Sequence, residues 1–134
     1  MIDPLSALRL DSTDFGWITT VRRNGQPQSS YVWFHFDGTN VFVLTEPRSG
    51  KVHNIAGNSR VSFHLDGDGE AGNDVLTIDG IAEISSATED HQRLPQYMRK
   101  YERRIREDLE STPECYVAAF SIAITIDPRM IRAW

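Results

Sequence analysis

Val41-Phe42-Val43-Leu44-Thr45-Glu46-Pro47-Arg48-Ser49-Gly50-Lys51-Val52-His53-Asn54-Ile55 is the stretch on which both fold and function turn. Its first four residues are apolar and read as a buried strand. Lys51 to Gly57 reads as one or two helical turns closed by a glycine. A strand, a turn with Arg, Ser, Gly and Lys, and then a helix start together suit a phosphate. Backbone N–H groups at a helix N-terminus lack partners and carry partial positive charge. Arg48 adds a planar donor fork and Lys51 a compact point charge, with Ser49 and Gly50 between them. His53, two residues on, is expected to help hold the anion. The spacing is not that of a P-loop, which needs Gly-x-x-x-x-Gly-Lys-Ser/Thr.

Outward from this stretch the chain reads mostly as strands. Gly16 to Arg22 and Ser29 to Phe36 are rich in β-branched and aromatic residues, and Asn24-Gly25 between them signals a two-residue hairpin. Asp37-Gly38 turns the chain into Asn40 to Leu44, so the three strands are expected to form a meander. Arg60 to Leu65 and Val75 to Ile84 alternate apolar and polar, the pattern of half-buried strands. Residues 66–74 read as a polar, glycine-rich loop. Glu114 to Ile126 reads as a long apolar strand burying Cys115, with Asp127-Pro128 turning into a short tail that ends at Trp134. Asp3 and Pro4 start a short helix through Leu10. Thr88 to Glu110 is the one long helical pattern, kinked at Pro95, with Leu94, Tyr97, Met98, Tyr101, Ile105 and Leu109 on one face. The expectation is a mainly β fold: six antiparallel strands closed into a small barrel, with one long helix, in one domain over residues 1–134.

Bulk properties exclude several classes. The net charge of −5 over 134 residues disfavours a nucleic-acid binder, which needs a basic face. The lone Cys115 forbids an intramolecular disulfide and fits a reducing cytoplasm. No signal peptide or membrane span is read, so a cytoplasmic protein is expected. The acidic and basic residues interleaved on the long helix predict a solvated face of ion pairs.

No metal site is expected, because His35, His53, His64 and His91 lack ligand spacing and no paired cysteines exist. Asp66-Gly67-Asp68-Gly69-Glu70 lacks the twelve-residue calcium-loop pattern. Trp17, Tyr31, Trp33, Phe34 and Phe36 read as core or interface, with Tyr31 or Trp33 able to border a planar ring. No side chain stands out as a nucleophile or base, so no catalytic residue is named. A bound cofactor would then carry the chemistry.

The order of these features resembles a known family. The hairpin, Trp33-Phe34, Val43-Leu44-Thr45, the Arg48–Lys51 turn, Arg60-Val61-Ser62-Phe63, Thr77 to Glu83, Tyr97 to Tyr101 and the tail from Pro128 to Trp134 are similar to the pyridoxamine 5′-phosphate oxidase-like FMN-binding split barrels. Within them the chain resembles most the flavin/deazaflavin oxidoreductases that use coenzyme F420. The resemblance implies a six-stranded split barrel that forms a homodimer, with cofactor sites between subunits. It implies that Arg48, Ser49, Gly50 and Lys51 hold the cofactor phosphate, aided by His53. Ser29, Ser30, Tyr31, Val32 and Trp33 would line the ring and its ribityl chain, and Val43, Leu44 and Thr45 would continue that wall. Arg132 and Trp134 would reach in from the other subunit. The implied activity is hydride transfer from reduced F420 to an electron-poor double bond of an enone, quinone or tetrapyrrole. FMN in an oxidase or flavin reductase is the alternative, as is a non-catalytic carrier of flavin, F420 or haem. No pyridoxal phosphate site is recognisable.

Overall fold

A computed structural model describes residues 2–67, 72 and 74–134. Helix α1 (Pro4–Ser12) precedes strands β1 (Phe15–Val21), β2 (Pro27–Trp33), β3 (His35–Phe36) and β4 (Val41–Thr45). Helix α2 (Gly50–Gly57), strands β5 (Arg60–His64) and β6 (Leu76–Ser86) and a 3-10 turn (Ala87–Glu89) follow. Helices α3 (Arg93–Glu107) and α4 (Pro113–Ala119) lead into β7 (Ile122–Ala133). The strands form one antiparallel sheet of seven, in the order β2-β1-β5-β6-β7-β4-β3. Its ends curl together, so that β2 lies near β4 without pairing with it. That unpaired seam splits the barrel.

Several expectations need correction. Seven strands replace six because the segment read as Ser29 to Phe36 breaks at Phe34 into β2 and β3. The meander fails for the same reason: β2 pairs with β1, whereas β3 and β4 pair at the opposite edge of the sheet. The hairpin loop has three residues, not two. Arg22 and Gln26 close it, and only Gly25 within it takes a positive φ, of 89°. The helix expected over Thr88–Glu110 resolves into the 3-10 turn and α3, with Asp90 accepting from the Arg93 N–H at 2.8 Å. Pro95 falls in the first turn, where no backbone donor is needed, so it causes no kink. Leu109 lies beyond the helix and is exposed.

The strand expected over Glu114–Ile126 begins as helix α4. Thr112 caps it by accepting from the Cys115 N–H at 3.1 Å, Pro113 takes the first position and Glu114 sits in the first turn. These start signals outweigh the apolar composition. Cys115 is therefore exposed rather than buried. Nor does Asp127-Pro128 end the strand: β7 runs to Ala133 through a bulge. Gly80 faces Pro128 and Asp79 faces Met130, leaving Arg129 as the extra residue. The bulge accommodates the missing proline N–H. Of the polar loop, residues 68–71 and 73 lie outside the described residues.

Two apolar clusters share the sheet. Inside the barrel Ile18, Phe34, Val41, Val43, Phe63, Ile78, Ile124 and Ile126 pack together. Outside it Phe42, Leu44 and Ala123 meet Tyr97, Tyr101, Ile105 and Tyr116 of α3 and α4. Strand β4 is buried on both faces, which is why it is apolar throughout. The indole of Trp33 stacks on Tyr101 at 4.8 Å and 3° and on Tyr116 at 5.4 Å and 12°. The outward charges on α3 form i,i+4 pairs, Glu102–Arg106, Arg103–Glu107 and Arg104–Asp108. No helix among the described residues is long and apolar enough to cross a membrane.

A Cβ on Gly16 would sit 2.3 Å from the ring carbon Cζ of Phe63, a fully buried residue with no room to move. Gly16→Ala is expected to cost about 2 kcal/mol by overpacking. Phe63→Leu should restore part of that loss in the double variant, as read by denaturant unfolding.

The tyrosines of the outer cluster set an alkaline limit. Burial raises Tyr97 well above the ordinary value of 10.0, raises Tyr101 as well, and pushes Tyr116 up to about 12. The unfolded chain loses these protons near pH 10 while the folded chain keeps them, so stability falls as pH rises past 10. Lys100, lowered by burial to about 8, acts oppositely between 8 and 10.5 and adds nothing beyond. Thermal melting should therefore drop steeply above about pH 10, together with the appearance of tyrosinate absorbance. Tyr116→Phe should flatten that drop.

Candidate functional site

Thr45 ends β4, buried, with its hydroxyl donating to the Ser49 hydroxyl at 3.0 Å. A turn closed by the Ser49 N–H on the Glu46 carbonyl, at 3.1 Å, carries Pro47 at its second position. Ser49 then caps α2 in extended conformation without donating or accepting a side-chain capping bond, and no acidic residue lies in the first turn. The leading N–H groups of α2 thus keep unused donor capacity. Because Thr45 donates to Ser49, the Ser49 hydroxyl proton is free for another acceptor.

Arg48 is exposed and Lys51 is half-buried. Neither is ion-paired with a described carboxylate, unlike Arg93, Arg103, Arg104, Arg106, Arg129 and Arg132. Burial holds the Lys51 ammonium below the ordinary lysine value of 10.5, and the charge of Glu46 offsets only part of that. A partly desolvated cation beside uncapped N–H groups can attract an oxyanion.

The seam brings β2 to this turn. A Cβ on Gly50 would lie 3.5 Å from Gln28 Oε1 and 4.0 Å from its Nε2. Gln28 Oε1 accepts from Asn54 Nδ2 at 3.1 Å, and the same Asn54 nitrogen donates to the buried Thr20 hydroxyl at 2.9 Å. Sequence reasoning missed Gln28 and Asn54. The signal available was Asn54 itself, a polar residue three positions after Lys51 and so on nearly the same helical face.

Strand alternation divides the expected ring wall. Ser29, Tyr31 and Trp33 share one face of β2, while Ser30 and Val32 share the other with Gln28. On the outer face Ser29 bonds Thr19 at 2.8 Å, and Tyr31 stacks near Phe15 and Trp17 and donates to Asp66 at 3.1 Å. Val32 packs against the barrel core. Val43 and Leu44 are buried in the two cores, so only Thr45 of that trio reaches the turn. His53 is exposed and points away from Lys51, since two helical positions are about 200° apart. It lines a cleft with Arg22 and Arg23 instead. Arg132 is paired with Asp79 at 3.2 Å, and Trp134 is exposed at the end of β7. Among the described residues no group of His, Cys, Asp and Glu could hold a metal ion.

The family model described as pyridoxamine 5′-phosphate oxidase matches residues 4–127. The chain belongs to this family. No curated protein matches it. Among solved structures it is similar to an F420 reductase, with 22% identity, 98% of each chain covered and a TM-score of 0.74. An FAD-binding protein from Mesorhizobium loti shares 15% identity over 97% of this chain and 90% of its own, with a TM-score of 0.71. The haem storage protein HutZ from Vibrio cholerae shares 19% over 98% and 93%, with a TM-score of 0.70. At these identities the likeness is one of fold: a split barrel shared by flavin-type and haem-binding proteins.

Anion binding at Lys51 should be linked to its proton. The free chain holds the lysine below 10.5, and a bound anion raises it again. Affinity for inorganic phosphate should therefore weaken as pH rises through that lowered value, and calorimetry in buffers of different ionisation enthalpy should report proton uptake on binding.

Proposed function

We propose that the chain is an F420-dependent reductase that holds the cofactor phosphate at Arg48, Ser49, Gly50 and Lys51. The observation that carries the reading is Lys51, a half-buried cation with no described carboxylate partner, beside the uncapped first turn of α2. Its donor set suits a phosphate monoester, with Arg48 supplying a fork for two oxygens, Lys51 a point charge and Ser49 a hydroxyl donor. Thr45 fixes Ser49, and Val43 and Leu44 hold Thr45 in place from the two cores. Gln28, whose Nε2 makes no described hydrogen bond, offers a further donor.

From the phosphate, the free edge of β2 leads along the seam, and its unpaired backbone groups suit the polar rim of a ring. Ser30 is the ring-side residue, whereas Val32 packs against the barrel core and Ser29, Tyr31 and Trp33 support the strand from behind. When bound, reduced F420 supplies a hydride to an electron-poor double bond of an enone, quinone or tetrapyrrole substrate. The protein's part is to orient that partner and exclude water. A second copy of the chain would complete the pocket in a homodimer, with Trp134 and Arg132 as its contribution.

Parallel titration with F420 and with FMN tests the reading. F420 is expected to bind more tightly, and Lys51→Ala to weaken it roughly tenfold or more, the value of one charge-assisted bond. Unchanged affinity in that variant would remove the phosphate assignment, and preference for FMN would replace the cofactor. Turnover of a quinone and enone panel separates a reductase from a carrier of flavin or haem.

A further inference from the structure

A cleft of about 580 Å³ lies between the β1–β2 hairpin and the C-terminal half of α2. Arg22, Arg23 and His53 line it together with Asn54, Gly57 and Asn58, and no carboxylate does. The chain carries a net charge of −5, so two arginines facing one hollow without an acid between them stand apart from its surface. Neither Arg22 nor Arg23 is ion-paired with a described carboxylate. Arg22 is held by a neutral partner, donating from Nε to Gln28 Oε1 at 3.2 Å, which leaves its terminal nitrogens free of described bonds.

The simplest competing account is that the arginines compensate the negative end of α2. The magnitudes oppose it. A helix end carries about half an elementary charge, against two full charges on the arginines. Neither arginine hydrogen-bonds a carbonyl of α2 among the described bonds, and the Asn58 N–H already caps Asn54 O at 2.9 Å. The surplus positive charge faces the cleft.

The floor adds a second kind of recognition. Asn54 is buried, its Nδ2 is used twice and its Oδ1 accepts no described bond. A hollow with two cationic arms and an acceptor at its floor matches a small molecule with a dianionic phosphate and a hydroxyl donor. We propose that Arg22, Arg23 and His53 form a second anion site, separate from Arg48 and Lys51, for a small hydroxylated phosphate monoester. Gln28 touches both places: it accepts from Arg22 and lies against Gly50. A ligand drawing Arg22 toward the cleft would release one bond on the residue that borders the first turn of α2.

The test uses the full chain with Arg48→Ala and Lys51→Ala combined, so that the first site is silenced whatever its true ligand. Glycerol phosphate is the probe and glycerol the neutral control. The expected result is one bound glycerol phosphate per chain by calorimetry, with the His53 ring proton signals shifting and those of His91 staying still. Arg23→Ala on that background should weaken binding tenfold or more, and glycerol should not bind. Both arginines are exposed hairpin residues, and a thermal melt confirms that the variants fold. Loss of all glycerol phosphate binding in the Arg48/Lys51 double variant would overturn the proposal, as would affinity unchanged by Arg23→Ala. Either result leaves the F420 titration to stand or fall alone.

Discussion

The corner at Phe34 is the constraint from which the rest of the structure follows. Here the chain leaves β2 at one edge of the sheet and begins β3 at the other, so Phe34 cannot use the sheet for its own backbone groups. The residue is fully buried, and its N–H and C=O need partners. Helix α3 supplies them. Tyr101 Oη accepts from the Phe34 N–H at 2.8 Å and also reaches the Phe34 and Asp14 carbonyls, both at 2.6 Å. One hydroxyl proton serves only one carbonyl at a time. Lys100 Nζ covers the remainder, donating to Phe34 O at 2.9 Å and Thr13 O at 2.7 Å. Burying the ammonium is costly, as its lowered titration shows, yet an orphaned carbonyl at the corner would cost a comparable amount. The long helix is therefore the closure that lets the barrel split.

The split brings the elements of the candidate site together. With β2 turned from β4, its free edge and the first turn of α2 face a common seam. The helix is held over that seam by a buried polar link, Asn54 to Thr20 and to Gln28. Every side-chain polar atom that is itself fully buried among the described residues is satisfied, so the link specifies one position for α2 rather than leaving strain there. Gln28 joins the two sides of this arrangement, since one carbonyl oxygen serves both Arg22 and Asn54 while its amide nitrogen, beside Gly50, makes no bond among the described residues.

Local patterns carried much of this in the sequence. The alternation in Arg60 to Leu65 and Val75 to Ile84, the proline start of α1 and the glycine end of α2 are short-range signals, and each gave an element in the right place. The failures came where tertiary context decides. Glu114 to Ile126 is apolar because α4 packs Tyr116 onto Tyr97 and β7 then enters the barrel, two environments with one composition. The break at Phe34 left no mark, because its partners lie on α3, far along the chain. For the site, Arg48 to Lys51 was visible as a pattern of residue types. Gln28 was not, since only the seam brings β2 to α2. His53 read as a neighbour of Lys51 by sequence distance, whereas helical geometry turns it to the opposite side.

Helix α2 breaks its own rules in a consistent direction. A helix N-terminus is stabilised by a capping side chain and by acidic residues in the first turn. Here Ser49 makes no capping bond, no acidic residue is present, and Lys51 puts a like charge at the positive end. Each departure costs a fraction of a kcal/mol to about 1 kcal/mol, and within the described chain only the charge of Glu46 offsets part of that at Lys51. One bound oxyanion would reverse all of them together, accepting from the free N–H groups, pairing with Lys51 and restoring the favourable sign of charge. Elsewhere Arg103, Arg104 and Arg106 of α3 pair with carboxylates at i,i+4, and Arg132 of β7 pairs with one across strands. Three departures of the same sign at one helix end are what a single bound anion would resolve together, and they are the physical ground for proposing one there.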